Sequence, residues 1–515
     1  QLDPIDEKEP LNKPNIQNNI SYEIESQQNK KCDQKRISQK LRIGSGNFFM
    51  TIPFLVFHYL SCYFDTIGVN QAQPYIQKYY NISESLTQWS ISIYYLAQAT
   101  CSIPLAKLGD NIGHIKLMMI LYAIQTLVQL GSCLIDNFYV FLVFRFIAGA
   151  ISASTQVSRT AHTRLLAPPG EALKFFQYQL IILQIVQIIV PITNGFLLDV
   201  NFKLMFALLT GFSFIAMLTL IPYEDTPQPK QKRKFDLFGS ILLLGTVSCF
   251  QLTITFATNL NYILAPIMFI LSIIFAVLLI LVEKSAKDPV LPFQLIKNPV
   301  ASYVAANTLQ FICQAGIGYI FPYFFKYYKK SGKQLGFYSF IVSLGATVDA
   351  FVVPIILKRV ISKTIIQISS VICLALIALI VFLAANQTLY LICYCMLMII
   401  STVIPFVVLP SILLTVPKEQ CGQIAAIPTT SKTIGQTLSS SISALVLQIG
   451  MKQFGHSEIE AFTSCVQITH IVFFAMLLVS VGFIQFGTGQ NRTDIGKSGF
   501  REEKVKEITN NEDLK

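Results

Sequence analysis

HYLSCYFDTIGVNQAQPY, His58 to Tyr75, carries an apolar run into an aspartate and then into a string of amides that ends near Pro74. The apolar run begins at Asn47. If its helix stops at Phe64, Asp65 is an ordinary residue at the water's edge. If the helix goes on, a carboxylate lies in hydrocarbon, where charge is expensive and marks a functional site by default.

Composition favours the membrane setting. The chain is 53% hydrophobic and 13% charged with a mean hydropathy of +0.55, against about 25% charged for soluble domains. A single Trp beside 39 Phe and 21 Tyr suits lipid-facing surface and helix ends near the headgroups. The 11 cysteines are scattered with no CxxC pair, so they read as small lipophilic residues, not as a metal site or a disulfide frame. HExxH, GxSxG and glycine-rich phosphate loops are missing from the sequence, so no enzyme, metal or cofactor is expected. A net charge of +11 would suit nucleic acid, but the basic residues fall in short clusters between apolar spans. That distribution belongs to cytoplasmic loops facing anionic lipid, so the expected partner is the bilayer and not nucleic acid.

Apolar runs long enough to cross a core of about 30 Å recur near 47–70, 86–106, 115–134, 138–158, 175–198, 203–222, 238–257, 262–283, 299–325, 336–357, 364–385, 388–415, 424–449 and 461–486. The expected fold is an all-α integral membrane protein of about 14 transmembrane helices, two six-helix bundles plus two linker helices. The bounds read as a cytosolic tail at 1–46, a first bundle at 47–222, a linker with the two extra spans at 223–298, a second bundle at 299–487 and a cytosolic tail at 488–515. Most Lys and Arg fall inside when both termini are cytosolic. One loop dissents, since KYYKKSGK, Lys326 to Lys333, lands outside. The sequons at Asn81 and Asn386 also land outside, and that at Asn491 inside. SIPLAKLGDNIGHIKLMMI and VVPIILKRVISKTIIQI occupy the same place in each half, a faint echo of the internal repeats that transporters use.

Four charges stand out inside these spans: Asp65, Arg145, Asp349 and Lys432. Arg145 cannot lose its proton and must face a partner, water or an interface; the stripe it shares with Gly149, Ser152 and Gln156 suits a cavity wall. Asp65 is its natural partner, and a movable arginine beside it would switch the carboxyl between holding and releasing a proton. His58, seven residues earlier on the same face, either extends that proton path or is a hydrogen-bonded packing residue. Asp349 and Lys432 either pair across the second half or bind cargo. Asn307, Gln310 and Gln314 on one helix either bond to neighbouring helices or line a wet passage.

FDTIGVNQAQPYI resembles the first-helix signature LDxTxVNVALPxI of fourteen-helix drug:proton antiporters in the major facilitator superfamily, through Asp65, Thr66, Val69, Asn70, Ala72 and Pro74. AKLGDNIGHIK is similar to the superfamily loop GxLaDrxGrrx at Leu108, Asp110, Gly113 and Lys116, with Gly113-His114 as in fungal, aminotriazole-resistance-type members. FRFIAGAISA resembles the helix-4 motif RxxqGxgaa at Arg145 and Gly149. VQIIVPITNG resembles the helix-5 antiporter motif GxxxGPxxGG, keeping Pro191 and Gly195 and replacing glycines with Val186, Val190 and Asn194. DPVLPFQLIKNP and VPKEQCGQIAAIPTTSKTIGQ fit the later signature, with Lys432 where a basic residue is usual.

The resemblance implies the major-facilitator fold, proton coupling at Asp65 and Arg145, a gating loop at Asp110, Gly113 and Lys116, and a helix-5 element at Pro191 and Gly195. His58, Gln156, Asn307, Gln310, Gln314, Asp349 and Lys432 are the remaining candidates for substrate or cavity contacts. The expected activity is proton-coupled export of toxic small molecules by a monomeric antiporter, in the plasma membrane in preference to the vacuole. A nutrient or small-ion facilitator or symporter of the same fold is the alternative within transport, and a non-transporting membrane sensor the alternative outside it.

Overall fold

The structure is a computed structural model that describes residues 48–166, 172–223, 237–258, 261, 263–285, 300–357, 360, 362–414, 426–453 and 457–487. Helix α1 runs Phe48–Tyr63, passes through a π turn at Phe64–Gly68 and ends at Val69–Gln71, and a short helix Gln73–Tyr80 continues it. After a one-turn helix at Glu84–Thr87, the long helices are α2 Trp89–Ile112, α3 His114–Leu134, α4 Phe138–Leu166, α5 Ala172–Val200, α6 Lys203–Leu220, α7 Leu237–Thr258, α8 Leu264–Ser285, α9 Val300–Tyr327, α10 Gly332–Leu357, α11 Ser362–Leu383, α12 Gln387–Leu414, α13 Ala426–Gln453 and α14 Glu458–Gly487. The count of fourteen expected from the apolar runs is therefore met among the described residues, which hold no strand.

Twelve of these helices are long and apolar enough to cross a membrane by themselves; α2 and α13 are not among the twelve. Their polarity has a structural reason. Gln88, Ser90, Ser92 and Thr100 on or beside α2, and Thr430, Thr437, Ser440 and Ser443 on α13, are buried, and α2 lies directly against α13. Polar side chains that face another helix escape the penalty they would meet against lipid. Helix α8 is the opposite case: almost uniformly apolar and mostly uncovered, it packs on α7 at the periphery.

The neighbour pattern repeats. Helix α1 packs on α5 and α6, α2 on α4, and α3 on α4 and α6; eight helices later α9 packs on α13 and α14, α10 on α12, and α11 on α12 and α14. The halves meet through α5 against α10 and α2 against α13, with α7 laid along α2 and α13. This is the arrangement of two six-helix bundles plus two added helices.

One sequence expectation changes in form. The stretch Ala106–Ile112, expected as a loop, is the last part of α2, and the chain turns only at Gly113. Gly113 sits at φ 103°, a conformation that strains a residue with a Cβ.

Candidate functional site

The helix does not stop at Phe64. Asp65 lies in the π turn of α1, fully buried, so the intramembrane reading of the opening stretch holds. A π turn widens the helix by one residue and commonly marks a functional position. Here Asn194 of α5 holds it from outside, its amide donating to the Gly68 carbonyl at 3.2 Å and to Gln71 Oε1 at 2.8 Å. A Cβ on Gly68 would stand 2.6 Å from the Met205 sulfur, so the turn is also seated against α6.

Arg145 of α4 closes on Asp65. Its Nη1 pairs with Asp65 Oδ1, its Nη2 donates to the Asp65 carbonyl at 3.2 Å, and its Nε donates to the Ser90 carbonyl at 2.8 Å. The guanidinium lies 4.5 Å from the centre of the Tyr94 ring. Gly149, one turn along α4, has the Tyr94 backbone directly over it, and no Cβ fits there. That close approach of α4 to α2 brings Arg145 within reach of Ser90. Two residues unforeseen from the sequence complete the cradle: Gln129 Nε2 donates to Asp65 Oδ2 at 2.9 Å and Gln125 Nε2 at 3.4 Å. Their signal was legible in α3, where Tyr122, Gln125, Gln129 and Ser132 recur at helical spacing and are all buried.

A carboxylate and a guanidinium removed from water are tolerable only with good geometry and saturated hydrogen bonds. This site supplies three bonds from the guanidinium and two amide donors to the acid. Withdrawing any partner leaves a buried charge short of a counterpart, so the assembly suits a group that gains and loses a proton with a change of packing.

The other candidates separate. His58 is fully buried, its Nδ1 bonded to the Tyr122 hydroxyl and its Nε2 without a partner. The part of the stripe nearest Arg145 is covered by α2, where Tyr94 lies against Gly149 and Ser152 accepts from Gln98 at 3.1 Å, while Gln156 reaches Ser152 at 3.2 Å from an exposed position. In the second half Asn307 donates to Ser431 at 2.7 Å and Gln314 to Ser401 at 3.1 Å. Gln310 is buried with its Oε1 unpartnered. Asp349 and Lys432 take separate partners, Asp349 accepting from Thr402 at 2.7 Å and Lys432 standing 5.3 Å from the Phe311 ring centre. Gly113 is the hinge between α2 and α3 and Lys116 is exposed; the Asp110 side chain lies outside the described residues. Among the described residues no group of His, Cys, Asp or Glu could hold a metal ion.

Pro191 and Gly195 lie where α5 meets α10. A Cβ on Gly195 would stand 2.6 Å from the Gly332 carbonyl oxygen and 2.9 Å from the Gly336 Cα, and one on Gly336 would stand 2.7 Å from the Pro191 carbonyl oxygen. The backbones touch, and one turn further Asp199 accepts from the amides of Gly332 and Lys333 at 2.6 and 3.3 Å, capping the start of α10. Lys326 to Gln77, Asn70 to Gly318 and Ser92 to Ser440 also tie the halves. The bundle is thus closed at its far end, where α1 leads into α2 and away from the start of α1.

The family model described as Major Facilitator Superfamily matches residues 55–440, well over half of the chain. A tetracenomycin C resistance and export protein of Streptomyces glaucescens is 26% identical over 187 residues, 36% of this chain and 35% of that protein. The chain thus spans about a third of the length of the curated relative it matches. Among solved structures, a POT family transporter in complex with a thioalcohol-conjugated peptide aligns with a TM-score of 0.64 at 14% identity, covering 87% of this chain and 99% of that one. A bacterial homolog of the human lysosomal transporter Spinster, inward-facing and unoccupied, aligns with a TM-score of 0.60 at 11% identity, covering 86% and 97%. At these identities the likeness is one of fold.

Proposed function

The chain belongs to the Major Facilitator Superfamily, and from that premise we propose that this membrane transporter is a proton-coupled antiporter that exports toxic small molecules by alternating access. The observation that carries the reading is the buried Asp65–Arg145 pair with its two glutamine donors. Both termini are placed in the cytosol and the protein in the plasma membrane as a monomer, so the end closed by α5 and α10 faces outward and cargo is loaded from the cytosol.

In this scheme a proton arriving from outside neutralises Asp65 and loosens its tie to Arg145. The π turn that carries Asp65 then relaxes against α5 and α6, and the two bundles rock about the passage between them. Cargo leaves outward, Asp65 gives its proton to the cytosol, and the ion pair forms again. The exported class rests on the resistance-protein relative, which is a distant one.

The test is Asp65→Asn in sealed proteoliposomes. Cargo is chosen by screening deletion and overproducing strains against a toxic-compound panel for resistance. Uphill flux driven by an imposed proton gradient should vanish in the variant while exchange at equal pH persists. Normal uphill flux by the variant removes Asp65 from the mechanism, and wild-type flux running with the protons instead of against them makes the protein a symporter.

A further inference from the structure

Two features that proton coupling does not use point to the charge of the cargo. The first is Lys432, six residues into α13. Its ammonium lies over the face of Phe311, a residue well inside α9. Of the other charges singled out inside the spans, Arg145 pairs with Asp65, and Asp349 accepts from Thr402. Among the described residues no carboxylate pairs with Lys432. A partly exposed ammonium within the bundle, over a ring face and with no carboxylate beside it among the described residues, is short of a counter-charge. On α9 the Oε1 of the buried Gln310, next in sequence to Phe311, has no partner, and on α13 the Oε1 of Gln436, one turn beyond Lys432, likewise has none.

The second is the basic loop that runs against the charge bias of the chain. At the closed far end a cavity of about 400 Å³ opens between the halves, and its lining includes Lys78 and Asn81 from the first half and Lys326, Lys329 and Lys330 from the second. The lining holds four lysines and no acid. Acids at this end stand outside the lining: Glu84, bonded to Gln77 at 2.6 Å, Asp199, bonded to the amides that begin α10, and Glu458 at the start of α14. Lys329 is held at φ 51°, which is costly for a residue with a side chain. A concave site lined by one sign of charge concentrates ligands of the other, and the volume is that of a small-molecule site.

We propose that the cargo is an anion: Lys432 supplies its counter-charge inside the bundle, and the vestibule of Lys78, Lys326, Lys329 and Lys330 receives it where it meets water at the far end. The proposal rests on the transporter reading above and adds the class of substrate. Lys326 is bonded to Gln77 and lies over Tyr323 and Tyr327, and Lys330 lies over Phe324, yet among the described residues no carboxylate pairs with any of the four vestibule lysines or with Lys432.

The test uses the full-length protein in detergent with sulfate, phosphate, benzoate and phthalate as anions, benzamide as the neutral isostere and benzylamine and tetraethylammonium as cations. At least one anion should raise Tm by binding the folded state, while benzamide and the two cations leave it unchanged. Lys432→Gln should weaken that anion at least tenfold and Lys432→Arg by less than about threefold, since a hydrogen bond to a charged group is the stronger kind. Lys78→Gln with Lys329→Gln, both exposed, should leave Tm without ligand unchanged and flatten the salt dependence of anion flux. Stabilisation by benzamide or a cation, no shift with any anion, or a wild-type response from Lys432→Gln overturns the proposal. Counterflow with the same panel keeps the two readings apart. Anion-selective stabilisation without counterflow of any compound would retain the anion site and remove transport, whereas counterflow of neutral or cationic compounds indifferent to Lys432→Gln would do the reverse.

Discussion

Gly195→Leu should force the far end open. Its Cβ would fall 2.6 Å from the Gly332 carbonyl oxygen and 2.9 Å from the Gly336 Cα, both main-chain atoms that no rotamer change can move. Restoring ordinary van der Waals separation requires α5 and α10 to part by about 1 Å. The Asp199 bonds to Gly332 and Lys333, now 2.6 and 3.3 Å, would stretch to roughly 3.6 and 4.3 Å, past useful hydrogen-bond range. A lost helix N-cap costs about 0.5–2 kcal/mol, and the charge at the helix start adds about 0.3–1 kcal/mol. A total near 1.5 kcal/mol is about tenfold in the closed-to-open ratio. Spin labels on Lys78 and Lys329, exposed residues on opposite lips of the vestibule, would report it as a shift of the distance distribution to longer values. Gly211→Leu is the control, because a Cβ there meets nothing within 4 Å. An unchanged distribution for Gly195→Leu, or an equal shift for Gly211→Leu, refutes the assignment of this contact as the closure.

Arg145→Lys should cost at least tenfold in uphill flux and lower Tm. An ammonium cannot serve the Asp65 carboxylate, the Asp65 carbonyl and the Ser90 carbonyl from one planar fork, and each buried acceptor left short costs about 1–3 kcal/mol; wild-type flux and Tm would contradict this. Gln129→Leu should lower Tm and flux more than Gln125→Leu, since Gln129 donates to Asp65 at 2.9 Å and Gln125 at 3.4 Å with its own Oε1 already unpartnered. Thermal unfolding of the two variants side by side checks the order, and equal or reversed losses count against the cradle.

The span count, the Asp65–Arg145 pairing and the hinge at Gly113 were legible in the sequence because each follows from a local rule: hydrocarbon thickness, the need of a buried charge for a partner, and the conformational range of glycine. What was not legible depends on which face of one helix meets another. The stripe of Gly149 and Ser152 looked like a cavity wall, but the same small residues let α4 press onto α2 at Tyr94. Gln125 and Gln129 gave a helical-spacing signal with no way to name their acceptor, since the register between α3 and α1 is set by packing along the whole bundle. Helices α2 and α13 were placed by length although they are too polar to stand alone in lipid, because the polarity of each is spent on the other half.

The helix-5 motif is where loss and retention of glycine can be read together. Two of its replaced positions, Val186 and Val190, are buried apolar contacts, which thickens the helix surface where the antiporter pattern would thin it. The third, Asn194, does something glycine cannot: its amide joins the Gly68 carbonyl and Gln71 across the π turn that holds Asp65. The next residue, Gly195, is the retained glycine, and it touches α10 backbone to backbone. Adjacent positions on a rigid helix therefore grip the turn that carries the acid and the contact that closes the far end. A change in the turn on protonation of Asp65 would be felt within one residue of the closure, through atoms in contact and without a long relay. On this reading the departure from the glycine pattern is a replacement of one coupling element by another, and an eroded motif does not by itself argue against antiport.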